Sequence, residues 1–493
     1  MEPLSGMSRA GDRPFGKLRA APSSVEGRDS GFGARNSECR TGTRRCAGSG
    51  DRVDDAGRRG GFVGPVATGD CECGRTGARR DWVRGAAPGP FVAAGGGGWY
   101  RGFVARIYLD YNATAPVPAE VADAVSAALR ECPGNASSIH AFGQRAKAVL
   151  DDARTAVAGL LGAEPSEIVF TSGGTEADNL AVRGVAESQK DGARPGIITS
   201  AIEHEAVLNA AKRLGRLGWP VTLLPVGGSG VVNVDALDRA LDAAGDPPPA
   251  LVSVMLVNNE LGTVQPVRAL AALARARGVP FHTDAVQAIG RLPVDVRDLG
   301  VDLLSIAGHK FGAPKGVGAL WVRRGFTLQA QAVGGRQERG RRAGTENTPA
   351  IEGLRVAAER AARLLGSEAV RQSALRDRLE RGLLATVPGT AVNGDPGARA
   401  PNTANISFEG VEGESLVIGL DLEGIAVSTG SACSSGTLEP SHVLRALGLP
   451  PSRIEGAVRF SLGEGTTGAE IDRVLDVVPA VVARLRARGR GRG

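Results

Sequence analysis

Along residues 107–322, short apolar runs closed by glycine, proline or small polar residues alternate with longer stretches whose apolar positions recur at helical spacing. The runs predict strands over Ile107–Tyr111, Glu167–Thr171, Gly196–Ser200, Pro220–Pro225, Leu251–Val257, Pro280–Asp284, Leu303–Ile306 and Gly318–Val322. The stretches predict helices near Pro118–Arg130 and His140–Leu161, helices starting near Thr175 and His204, and one over Val267–Arg277. Such alternation builds a mostly parallel sheet covered by helices, so the fold class is α/β. A longer helix near Thr348–Leu365 is expected to lead into a second, smaller domain in which Arg459–Leu462 is a strand. Open sheets of this kind bind ligands outside the carboxyl ends of their strands.

Composition narrows the class. A chain of 493 residues exceeds one minimal core, and its 42% apolar and 23% charged content is ordinary for a soluble enzyme. It contains no apolar run of roughly 18 residues, so no membrane-spanning helix is expected. The start, Met1–Gly6, lacks the apolar core of a secretory signal. Six cysteines in so long a chain make no disulfide framework and fit a reducing cytoplasm.

Residues 1–106 differ from the rest. They hold 23 of the 71 glycines, little apolar periodicity and a flexible Gly95–Gly98 spacer, and are expected to form a disordered extension. Eleven acidic residues there argue against a transit peptide, and the spacings of Cys39, Cys46, Cys71 and Cys73 match no standard zinc motif. Charge is equally uneven. Residues 1–106 carry 18 basic and 11 acidic groups, and Arg484–Gly493 carries five arginines and no acid. The stretch between has 36 basic and 42 acidic residues, so the net +6 belongs to the two ends and gives the folded body no nucleic-acid role.

Candidate chemistry collects at the predicted strand ends. Leu303–Ile306 runs into Gly308-His309-Lys310. A lone lysine at a strand end is ordinarily a solvated boundary residue. Here Phe281-His282-Thr283-Asp284 brings an aspartate to the end of another strand. A lysine that condenses with an aldehyde and an acid that keeps a pyridine nitrogen protonated are what pyridoxal phosphate requires. Thr171-Ser172-Gly173-Gly174-Thr175 joins a strand to a helix, suiting either a tight turn or an anion on the helix N-terminus. His204 lies just past another strand, and Asn258-Asn259-Glu260 and Gln287 supply further polar groups at the same edge. Arg341-Arg342 ordinarily reads as surface charge. Arg459, within an apolar strand, suits a carboxylate clamp. Cys433, between Ser431-Ala432 and Ser434-Ser435-Gly436, is either a surface thiol or an exposed nucleophile.

In this order the segments Tyr108–Thr114, Thr171–Glu176, Val257–Glu260, His282–Gln287, Gly308–Lys310, Arg342–Thr345 and Ser431–Cys433 resemble those of the cysteine desulfurases, pyridoxal phosphate enzymes of the class V aminotransferase family. The resemblance covers roughly residues 107–480. It implies the type I fold of pyridoxal phosphate-dependent transferases. Residues 107–120 would be an N-terminal segment of the small domain, 121–366 the large cofactor-binding domain, 367–484 the small α+β domain and 485–493 a basic tail. It implies that Lys310 bonds the cofactor and shuttles the substrate Cα proton, His204 stacks on the ring, Asp284 pairs with its nitrogen and Gln287 meets its hydroxyl. Gly174, Thr175 and His309 would hold the phosphate, with Thr345 reaching it from the partner subunit. Asn259 and Arg459 would bind the carboxylate of L-cysteine, and Cys433 would take its sulfur as a persulfide, leaving alanine.

A homodimer and a sulfur-acceptor protein are expected from the same resemblance, while the apolar runs and the charge balance point to no membrane and no required nucleic acid. The sulfur would serve Fe–S cluster assembly, tRNA thiolation or a related pathway. Two departures stand out. Where relatives commonly place a phosphate-binding serine, this chain has Ala307. The Arg/Gly-rich end, Arg486–Gly493, lacks the extension by which some relatives dock an iron–sulfur scaffold. The alternatives are a selenocysteine lyase or other β-eliminating enzyme, a non-catalytic scaffold of the same fold, and an RNA-binding protein led by its Arg/Gly ends. No ligand set for a stable metal site is visible.

Overall fold

Twelve strands are formed among residues 106–189, 195–430 and 440–490, which the computed structural model describes. In chain order they are β1 (Ile107–Tyr108), β2 (Ile168–Thr171), β3 (Ile197–Ser200), β4 (Val221–Leu224), β5 (Leu251–Ser253) and β6 (Phe281–Asp284). Then come β7 (Leu303–Ala307), β8 (Gly318–Val322), β9 (Thr390–Asn393), β10 (Thr403–Phe408), β11 (Ile425–Ala426) and β12 (Ala457–Ser461). The expected disordered extension (save Arg106) and the Cys433 loop lie outside the described residues.

β2–β8 form one seven-stranded sheet in the order β2-β8-β7-β6-β5-β3-β4. Five of its strands are parallel neighbours, while β8 runs antiparallel to both β7 and β2. The stretch from Gly308 to Val317 is too short for the crossover that a parallel neighbour needs, so β8 must return antiparallel. Along the strands, successive apolar side chains enter different cores. Ile168, Phe170, Ile198, Val252, Leu304 and Trp321 join one cluster. Their neighbours Val169, Ile197, Leu251, Leu303, Leu320 and Val322 join a second on the other face. This period of two buries both faces, as an α/β sheet requires.

A third cluster unites Leu109, Ile406, Phe408, Leu416, Ile425, Phe460 and Val478 around the antiparallel sheet β12-β10-β9 and the parallel pair β1-β11. The helix expected to stop near Leu365 runs Thr348–Thr386, 39 residues. Its Ile351 and Leu354 pack into the first core and its Leu379 and Leu383 into the third. Gly366 does not end it, since one interior glycine costs only about 1 kcal/mol against two packed faces. Other bounds also shift. The expected strand to Val257 pairs as a strand only to Ser253, although Val254 and Leu256 still donate backbone bonds to His282 and Asp284. Val234–Ala244, Gly413–Leu422 and Gly468–Arg490 are helices the pattern did not announce, and the last carries the C-terminal arginines as far as Arg490. None of the helices among the described residues is long and apolar enough to cross a membrane.

Candidate active site

Strands β2, β3, β5, β6 and β7 point the same way, so the residues after them share one edge. Register sets their spacing. Thr171 and Ala307 both pair with Gly318, which puts the glycine turn after β2 level with the lysine turn after β7. Asp284 pairs with Ser305 on the neighbouring strand. Gly174 opens the helix Gly174–Glu187, and a Cβ there would meet Val286 Cγ2 at 2.8 Å and Ala307 Cβ at 3.2 Å. Only glycine lets this helix start so close to the edge, where its free N–H groups attract an anion.

Lys310 ends a 3₁₀ turn, and its Nζ donates to the carbonyls of Asn112 (2.7 Å) and Ala113 (2.9 Å). His309 Nδ1 lies 3.2 Å from Thr114 Oγ1. Burial, then Lys310 and Lys315, push its pKa down to about 4, leaving a neutral imidazole at pH 7. Asp284 is buried and accepts the Val286 N–H at 2.8 Å. Burial raises its pKa, while His204 and Lys310 pull it back. Behind it, His282 sits between Ser253 Oγ (2.8 Å) and Ser305 Oγ (2.9 Å), and burial holds it neutral with a pKa of about 3. Asp178 completes this inner layer, its pKa lifted well above the usual range by burial and by Asp284.

His204 caps the helix Glu205–Arg216, its Nδ1 accepting the Ala206 N–H at 3.1 Å, which fixes the ring. The preceding Glu203 is wholly buried and accepts from Ser200 Oγ and from Met255 N (3.0 and 3.1 Å). Burial pushes its pKa up to about 8. The folded protein therefore keeps a proton that the unfolded chain releases near pH 4.5, so Glu203 makes stability fall as pH rises from about 4.5 to 8. From pH 6.5 to 8 that slope amounts to about 2 kcal/mol. Thermal unfolding of wild type and Glu203→Gln across this range should show a smaller fall in Tm for the variant, and parallel curves would refute the assignment.

Arg459, on β12, reaches the same edge almost wholly buried. Its Nη2 pairs with Asp110 Oδ1 at 2.7 Å, and its Nη1 donates to Asn259 O (3.0 Å) and Gly430 O (3.3 Å). Its buried Nε has no hydrogen-bond partner among the described residues. Asn112 ties the parts together. Its carbonyl accepts from Lys310 and from Gln287 Nε2 (3.0 Å), and its Nδ2 donates to Asn259 O (3.1 Å) and Thr403 Oγ1 (2.9 Å).

This edge belongs to a recognisable lineage. The aminotransferase class-V family model matches residues 107–474. Over 381 residues the chain is 49% identical to a cysteine desulfurase of Trichormus azollae, covering 77% of this chain and 94% of that protein. It is 48% identical to the cysteine desulfurase NifS of Azotobacter vinelandii over 384 residues, 78% of this chain and 94% of that one. Among solved structures, a NifS-like protein superposes with a TM-score of 0.72 at 37% identity, covering 77% of this chain and all of the other. The chain belongs to the class-V aminotransferase family.

Members of this family depend on pyridoxal phosphate, and the edge of this class-V chain fits it. A lysine, a buried acid one strand away and a helix N-terminus kept clear by Gly174 are the donor set that an aldehyde, a pyridine nitrogen and a phosphate demand. The structure brings Gly174, Thr175, His204, Asn259, Asp284, Gln287, His309, Lys310 and Arg459 to the one edge, whereas Cys433 lies outside the described residues. Thr345 stays exposed on its loop.

The structure adds partners that the sequence did not show. The Gln287 amide is engaged by Asn112 O and by Arg291. Arg459 carries Asp110, a carboxylate of the chain itself. Arg342 is not loose surface charge, for it pairs half-buried with Glu176 (2.7 Å) beside the glycine turn. That loop is pinned by Glu338, which holds Arg154 through two bonds (2.9 and 2.8 Å) and accepts the Phe170 N–H. Asp110 and Asn112 lie inside the Tyr108–Thr114 motif, so their presence was visible but their partners were not.

Proposed function

We propose that the protein removes sulfur from L-cysteine, releasing L-alanine and loading Cys433 with a persulfide for an acceptor protein. The observation that carries this is the buried Arg459, its Nε unbonded among the described residues, at the same strand edge as Lys310 and Asp284. The relatives named cysteine desulfurase support the substrate.

Bound here, pyridoxal phosphate supplies the electron sink that makes an amino acid's α-proton removable. Lys310 would bond the cofactor and would move the Cα proton once it leaves its two backbone carbonyls. Asp284 would hold the ring nitrogen, His204 would cover the ring and Gln287 would meet the ring hydroxyl. Gly174, Thr175 and neutral His309 would take the phosphate, with Thr345 added across a homodimer. Asn259 and Arg459 hold the substrate carboxylate. The Cys433 thiolate attacks the substrate sulfur, an S–S bond forms, and the Cβ–S bond breaks with its electron pair staying on the carbon skeleton. That skeleton is protonated and leaves as alanine. Residues 121–366 serve as the cofactor domain, and 107–120 with 367–484 as the smaller one. A cytoplasmic location and delivery toward iron–sulfur assembly or tRNA thiolation suit a thiol that must stay reduced between turnovers.

Alanine release from L-cysteine with a thiol reductant tests the reaction, and its absence would overturn the reading. Arg459→Ala tests the clamp. Losing charge-assisted bonds of about 3 kcal/mol should raise KM for L-cysteine about 100-fold while the cofactor's visible band persists. An unchanged KM would remove Arg459 from the carboxylate site.

A further inference from the structure

The glycine turn after β2 sets two charges against each other. Its helix, Gly174–Glu187, has no side-chain cap at Gly173, and Glu176 in the first turn reaches back, its Oε2 accepting the Ser172 N–H at 2.8 Å. An acid there favours the helix start, whose free N–H groups carry partial positive charge. The phosphate of the proposed cofactor would use those same groups, and a bare carboxylate beside them opposes a second anion.

Arg342 answers that charge from 166 residues away. Its Nε donates to Glu176 Oε1 at 2.7 Å and its Nη2 to Oε2 at 3.2 Å, so both carboxylate oxygens are engaged while the Ser172 bond is kept. Burial would raise the pKa of Glu176, but Arg342 and Ser172 outweigh it and hold the group below its ordinary value, ionised and paired. Arg342 lies in the loop between the 3₁₀ turn Gln337–Gly340 and the helix Thr348–Thr386. Glu338 mounts this loop by accepting the Phe170 N–H, and it sits with Arg339 in left-handed backbone, φ 45° and 56°. Such backbone at two successive non-glycine residues is costly and persists only where the surroundings hold it. The loop is therefore fastened to β2 at Phe170 and, through Glu176, to the glycine turn at Ser172. An ordinary surface ion pair needs no such mounting.

We propose that Arg342 is a positioning residue for the cofactor phosphate: it neutralises and orients Glu176, so that the Ser172–Thr175 turn keeps its shape and still admits an anion. Glu176 alone would shape the turn and repel the phosphate. Arg342 alone would attract the phosphate and leave the turn unshaped. Glutamine at position 176 has one acceptor oxygen for two sets of donors, so the pair has no neutral equivalent. The inference deepens the proposed pyridoxal phosphate site and rests on it.

The test titrates the full-length protein, freed of cofactor, with pyridoxal phosphate and with pyridoxal, which lacks the phosphate, and reads the visible band. Wild type should bind the phosphate form about 100-fold more tightly or better. Arg342→Ala should raise the Kd for pyridoxal phosphate about tenfold and leave that for pyridoxal within about twofold. In Glu176→Gln protein no carboxylate is left to neutralise, so adding Arg342→Ala should change the Kd for pyridoxal phosphate by less than about twofold. Unchanged binding in Arg342→Ala would overturn the proposal. So would equal losses for both ligands, the mark of a general brace, or the full loss in the Glu176→Gln background, the mark of an arginine acting on the phosphate directly. Should Arg342→Ala not fold, Arg342→Gln decides by the same comparison. Wild type with no band, or with equal affinity for the two ligands, overturns the cofactor site and the inference with it. A wild-type preference for the phosphate form that Arg342→Ala leaves intact overturns the inference alone.

Discussion

Lys310→Ala protein is expected to purify without covalently held cofactor and to release alanine from L-cysteine about 10⁴-fold more slowly than wild type, because in the proposed mechanism one residue supplies both the cofactor bond and the proton transfer. The fold should survive. Removing the ammonium takes one donor from each of two carbonyls, Asn112 O and Ala113 O, and the first still accepts from Gln287 Nε2 at 3.0 Å. Each such bond is worth about 1–3 kcal/mol. Thermal unfolding and the visible spectrum after gel filtration are therefore read together. A protein with near-wild-type Tm and no retained absorbance assigns Lys310 to the cofactor. Retained absorbance with wild-type turnover would place the cofactor elsewhere.

Cys433→Ala separates sulfur transfer from the chemistry at the cofactor. Its visible spectrum should match wild type, while alanine and sulfide release falls about 10³-fold, an increase in barrier of about 4 kcal/mol. No other thiol is placed to replace it among the described residues. Cys132, the one free cysteine there, is buried at the end of the helix Ala119–Glu131. Sulfide release equal to wild type would move the protein to a β-eliminating lyase that needs no persulfide.

Which of these features the sequence exposes follows from their range. Lys310, Asp284 and Gly174 were legible because each ends or closely follows an apolar run that reads as a strand, and strand ends in an α/β sheet share one edge. The clamp was half legible. An arginine in the apolar β12 announces a buried charge, but its partner Asp110 is 349 residues away. Likewise, the step of Arg154 onto Glu338 spans 184 residues and leaves no periodic trace.

The sequence by itself determined the α/β class, the strand ends where the chemistry gathers, and the residue types there, because periodicity and turn composition are local properties of the chain. Only the tertiary structure decided that β8 lies between β7 and β2, that one helix continues from Thr348 to Thr386 through two cores, and that Asn112 bonds residues as distant as Gln287 and Thr403. Buried polar groups take whichever partners packing delivers, and packing is settled by the whole chain at once.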